Sequence, residues 1–184
     1  MTYDLARYLP NEDWFGFNLR GIHGAPHTTR VLVWSARIAG ALGRQDAIRR
    51  DELLWAASVH DVGRIDDGID RGHGSRSAAW VRDRLTSERP ETAMLDLDFI
   101  AELCTWHEVR DERIERLSLE LMILKDADAL DRCRIGDLDP SRLRLTVATR
   151  LVTAAERLER ATDRYGVLTA EEVVSAAITR DDGP

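Results

Sequence analysis

Apolar residues recur at helical spacing along most of the chain, and loops rich in Gly and Asp separate the runs. From Pro26, which suits a first helical position, Val31, Leu32, Trp34, Ser35, Ile38 and Leu42 keep a helical period. Leu53, Leu54, Ala56, Ala57 and Val59 give the next helix a buried side, and Gly63 reads as a stop just past its end. The pattern predicts further helices over Ser75 to Thr86, Glu91 to His107, the segment LSLELMILKDADALDR, and residues 140–162 and 168–178. The first 25 residues predict a short helix anchored by Trp14, Phe15 and Phe17, then a loop broken by Gly16, Gly21 and Gly24. GRIDDGIDRGHGS reads as an ordered loop, and RDDGP as a frayed tail. No stretch has a convincing two-residue alternation. The expected fold class is all-α, a compact bundle of about seven helices in one domain spanning 1–184, with the 140–178 helices packed on the rest.

Composition narrows the partners. With 43% hydrophobic and 32% charged residues, the 184-residue chain is typical of a globular domain large enough for one core. No apolar run approaches a membrane span, and MTYDLARYLPNEDW lacks the basic-then-apolar order of an export signal, so the expected location is cytoplasmic. Cys104 and Cys133 are far apart and outside any CxxC arrangement, which predicts reduced thiols rather than a disulfide or thiolate zinc site. A net charge of -7 without a dense Lys/Arg block argues against an extended nucleic-acid surface and leaves room for a small anionic substrate in a local pocket. Lys125 is the only lysine among the 26 basic residues.

The candidate chemistry begins at His60 and Asp61, in the last turn of the apolar 53–61 helix. Burying an imidazole beside a carboxylate is costly unless something pairs with them, and a divalent cation accepts both. Taken alone, the dipeptide reads as a helix-capping Asp beside a surface His. Its company changes the balance. His27 falls in a helix's first turn, His73 before another helix, His107 in a last turn, and Asp126 intrudes into an apolar helix. Imidazole nitrogens with carboxylate oxygens suit Zn, Mn or Fe and leave coordination positions open. His23 reads as a structural residue or a substrate contact.

In order and spacing, HGAPHTTRV, HDVGR, DRGHG and KDADALDR resemble the HD-domain superfamily of metal-dependent phosphohydrolases, over about residues 20 to 135. The resemblance implies a helical bundle in which His27, His60, Asp61 and Asp126 hold a first metal. His73 and His107 match the subset with a second metal, bridged by Asp61, and His73 is alternatively a substrate contact. The implied cofactor is a divalent ion (Mn, Fe, Co, Zn, Ni or Mg), one or two per chain. Asp61 and Arg64 are the expected catalytic pair; Arg64 stands where related two-metal proteins place a lysine, and Arg30, Arg64 and Arg76 are the expected phosphate contacts. Asp66 and Asp67 read mainly as acceptors that fix the loop. The implied reaction is hydrolysis of a phosphomonoester or phosphodiester of a nucleotide or another small phosphorylated substrate. Two rivals are a two-iron oxygenase similar to inositol oxygenase, which would use the same six residues, and a nucleotide-binding HD module without catalysis.

Overall fold

The computed structural model describes residues 4–18, 21–43, 47–163 and 169–178, and every regular element among them is helical. Helix α1 (Ala25–Leu42) is the central element, packed against α2 (Arg50–Val59), α6 (Leu119–Asp131) and α9 (Ala170–Ile178). Its first turns are buried on nearly every side, from Ala25 through Ala36. Every residue of α2 from Leu53 to Val59 is buried, so α2 threads the core rather than lying on it. On α2 rests α5 (Leu97–Trp106), which pairs with α3 (His73–Trp80). One apolar cluster runs through these elements and includes the fully buried Trp34 and Trp55.

Boundaries follow local chemistry. Helix α1 ends where Gly43 takes a left-handed conformation. The expected 91–107 helix is two pieces, a 3-10 turn at Pro90–Met94 and then α5. Asp96 restarts the helix by accepting from Phe99 N at 3.0 Å. The helix expected over Ser75 to Thr86 begins earlier, at His73, and continues through a π segment (Val81–Leu85) into α4 (Thr86–Glu88).

The 140–162 segment departs most from the periodic pattern. It is a 3-10 turn at Pro140–Arg142, a short α7 (Thr146–Thr149) and α8 (Val152–Asp163). Between the turn and α7, Leu143 and Leu145 are extended. The amides of Arg144 and Leu145 donate to the Asp126 carboxylate, at 2.9 and 2.8 Å to Oδ2, and are lost to any helical ladder. Residue 168 and the tail RDDGP lie outside the described residues. No described helix is long and apolar enough to cross a membrane.

Two glycines permit close packing near the helix ends. A Cβ on Gly63 would run into the backbone nitrogen of Ser77 in α3, and one on Gly74 into the carbonyl oxygen of Cys104 in α5. Both side chains are excluded by neighbouring backbone, which cannot swing aside as a side chain does.

Candidate metal centre

Where α2 and α5 end and α1 and α3 begin, four imidazoles converge on the carboxylate of Asp61. His27 comes from the first turn of α1, His60 and Asp61 from the end of α2, His73 opens α3, and His107 closes α5. All five are buried.

The rings are aimed by their second nitrogens. His60 Nδ1 donates to Ala57 O at 2.8 Å, His73 Nδ1 to Asp70 O at 2.6 Å and His107 Nδ1 to Cys104 O at 2.6 Å. Each acceptor lies three residues back. For His60 and His107 it is a last-turn carbonyl that the helix leaves without an internal donor. His27 Nδ1 donates instead to Asp131 Oδ2 at 2.7 Å. These acceptors fix the proton on Nδ1 in every ring, so each Nε2 presents its lone pair inward.

The inward atoms sort onto the two sides of Asp61. Its Oδ2 lies 3.5 Å from His27 Nε2 and 3.9 Å from His60 Nε2, and its Oδ1 lies 3.2 Å from His73 Nε2 and 3.5 Å from His107 Nε2. Asp128, on α6, approaches His27 Nε2 at 3.5 Å. Among the described residues, His27 Nε2, His60 Nε2 and Asp61 Oδ1 are buried without a hydrogen-bond partner, a costly arrangement for polar atoms. His73 Nε2 and His107 Nε2 stand 3.0 Å apart, two lone pairs that repel unless a proton or cation lies between them.

This donor set fits a divalent cation. The potential ligand atoms of His27, His60 and Asp128, and likewise those of His60, Asp61 and His107, lie within 4.8 Å of one another. Burial pushes His60 down to about 3, which keeps its ring neutral as a ligand must be.

The expected site residues divide. His27, His60, Asp61, His73 and His107 are brought together, and Arg64 joins them with its Nε 3.0 Å from Asp61 Oδ2. Asp126 is not among them. Its buried carboxylate accepts from the amides of Arg144 and Leu145 and from Arg144 Nη1 at 3.1 Å, and Asp128 faces the histidines in its place. Arg30 also leaves the expected set: its guanidinium is buried in a fork on Asp131, at 2.5 Å from Nε to Oδ1 and 3.2 Å from Nη2 to Oδ2. Arg76 holds the 63–70 loop, donating to Gly63 O at 2.7 Å and pairing with Asp70. Neither Arg30 nor Arg76 lines the cleft that opens on the centre. His23 does line it, beside Asp67 at 3.4 Å.

Asp128 carries what the sequence pattern missed, and Asp131 supports it from the same helix. Three residues apart on one face of α6, they meet opposite nitrogens of the His27 ring. That spacing within KDADALDR was the available signal. The Asp131 carboxyl, despite its burial, is held well below the ordinary range by Arg30 and His27.

The cleft has a volume of about 810 Å³, and Asp61, His73, His107 and Asp128 lie along it. Among comparisons with known proteins, a family model described as HD domain matches residues 24–133, more than half of the chain. Neither the curated proteins nor the solved structures contain a match.

Proposed function

The chain belongs to the HD-domain family, and from that membership we propose that it is a metal-dependent phosphohydrolase acting on a small phosphorylated substrate. The observation that carries the reading is the convergence of four Nε2 lone pairs on the two oxygens of one buried carboxylate, at the side of a cleft lined with arginines. His27, His60, Asp61 and Asp128 would hold one cation; Asp61, His73 and His107 would hold a second. A divalent ion bound there supplies Lewis acidity and a nucleophilic hydroxide at neutral pH.

The protein's own groups do the rest. The carbonyls of Ala57, Asp70 and Cys104 and the carboxylate of Asp131 hold the imidazoles in one tautomer and one orientation. Arg64, fixed through Nε to Asp61, sets a permanent positive charge beside the centre, where it neutralises charge on a transferring phosphoryl group. No side-chain nucleophile is required. The cleft admits a nucleotide or a smaller phosphate ester by volume alone.

The test is phosphate release from aryl phosphates, sugar phosphates and nucleotides under anaerobic conditions, after chelation and reloading with Mn or Co. Asp61→Ala should abolish both retained metal and turnover while helical circular dichroism persists. Full metal content in that variant would overturn the reading. The placing of imidazoles on both sides of Asp61 also suits a second reading, a two-iron oxygenase. Turnover that consumes oxygen in step with product and is supported by iron alone would select it.

A further inference from the structure

Helix α3 opens without a cap of its own. Its N-cap position is Gly72, in a left-handed conformation, with no side chain to accept from the first amides. The acceptor comes from another helix. Glu108, the residue after His107 at the end of α5, takes Gly72 N at 3.0 Å and Gly74 N at 2.9 Å on Oε1, and its Oε2 lies 3.3 Å from Gly72 N. Gly74 leaves room for this carboxylate, since a Cβ there would press to 3.2 Å from Oε1. The helix dipole favours a negative charge in that place. Between the two glycines stands His73, and Glu108 Oε2 lies 3.4 Å from its Nδ1.

Glu108 is itself held. The carbonyls on either side of it, of His107 and Val109, accept from the Lys125 ammonium of α6, as does Trp106 O. A charged side chain of α6 thus closes the end of α5, and a charged side chain from the end of α5 closes the start of α3. His107 and His73 are the residues at those two ends, and their Nε2 atoms meet at 3.0 Å. His73 has a further restraint: its Nδ1 donates to Asp70 O, and the Asp70 carboxylate accepts from the Ile65 amide at 2.9 Å and pairs with Arg76. Although Glu108 borders the cleft, its oxygens are turned to α3, so it is placed to hold rather than to react. The rings of His27 and His60 are held elsewhere, by Asp131 and by Ala57 O.

We propose that Glu108 is the positioning residue of the His73–His107 side of the centre. By capping α3 from the end of α5 it sets the separation of the two Nε2 atoms, and its charge against the Nδ1–H edge makes His73 a stronger donor. It does neither for the His27–His60 side. The inference rests on the two-cation reading for the metal that Glu108 would act on, but not for the orientation of the ring.

The experiment compares the native chain with Glu108→Gln and Glu108→Ala in two measurements: calorimetric titration of the chelated protein with Mn, and nitrogen NMR spectra of the imidazole rings in the metal-free protein, the His73 signals being assigned through His73→Gln. The native chain should show two binding steps and a His73 ring locked with its proton on Nδ1. Glu108→Ala should weaken one step by about 10- to 100-fold and leave the other unchanged. The two His73 nitrogen shifts should then move toward each other, as the ring samples both tautomers. Glu108→Gln keeps one acceptor oxygen and loses the charge, so it should show the same changes to a smaller extent, and it carries the comparison should Glu108→Ala lose its helical circular dichroism. Variants indistinguishable from the native chain, or a loss shared equally by both steps, would overturn the positioning role. So would a lower urea midpoint with both steps intact, which would leave Glu108 a cap alone. A single Mn step in the native chain would defeat the two-cation reading and leave the proposal to the ring spectra: converging shifts in the variants support it, and unchanged shifts sink it.

Discussion

The carboxylates at 126 and 128 sit two positions apart on one helix and have opposite employment. Asp128 faces His27 Nε2, whereas Asp126 closes the turn before α7 through Arg144 and two amides. Asp128→Ala should therefore reduce retained metal, by a factor of about 10 to 100 in affinity at least, and leave thermal unfolding of the chelated protein nearly unchanged. Asp126→Ala should do the reverse: metal retained, but stability lowered by about 1–3 kcal/mol, because two amides lose their acceptor and the half-buried Arg144 guanidinium keeps only Asp111. Metal content and urea unfolding of the two variants decide, and the opposite pattern would return Asp126 to the ligand set. At this scale the HD dyad and the histidines were legible because helix ends place side chains where helices converge. The choice among the aspartates of KDADALDR was not. Apolar periodicity identifies the buried side of a helix only when another side is wet, and α6 buries Glu120, Lys125, Asp126 and Asp131 along with its leucines.

Helix ends, rather than helix faces, build the centre, so its geometry depends on how closely the ends approach. Gly74 permits one such approach, setting the first turn of α3 against the last turn of α5. Gly74→Ala should separate them, pull His73 from His107 and cost about 1–3 kcal/mol as an overpacked contact. The expected readout is a lower urea midpoint together with loss of metal from the His73–His107 side, the His27–His60 side being retained. Unchanged stability would mean that the two backbones have slack. Periodicity located α1, α2, α5 and α6, since each buries a continuous apolar stripe. It ran straight through 143–145, where the amides that would continue a helix are taken by a carboxylate on a distant helix. Nothing local in that stretch signals the competition.

Across the whole molecule, the all-α class followed from the absence of alternating segments. The clasp joining Asp111, Lys125, Asp126 and Arg144 did not, because its members come from three separate segments. Arg144, with Lys125 in support, holds the Asp111 carboxyl below its ordinary 3.8. The clasp's contribution is thus complete above that value and is lost as the pH falls through the depressed one. The acid limb of stability should be shallower in Asp111→Asn than in the native protein, measured by urea unfolding between pH 5 and about 2. Equal slopes would mean that the clasp contributes nothing to acid unfolding. Lys125 has a second consequence. Its ammonium is buried against the carbonyls of Trp106, His107 and Val109, and it is the chain's sole lysine. An amine-directed acylating reagent consequently finds one side-chain target, and reacts there only when the ammonium leaves those three carbonyls and gives up a proton. The labelling rate at that single atom becomes a clock for how often the molecule breathes, readable by mass without any engineered probe.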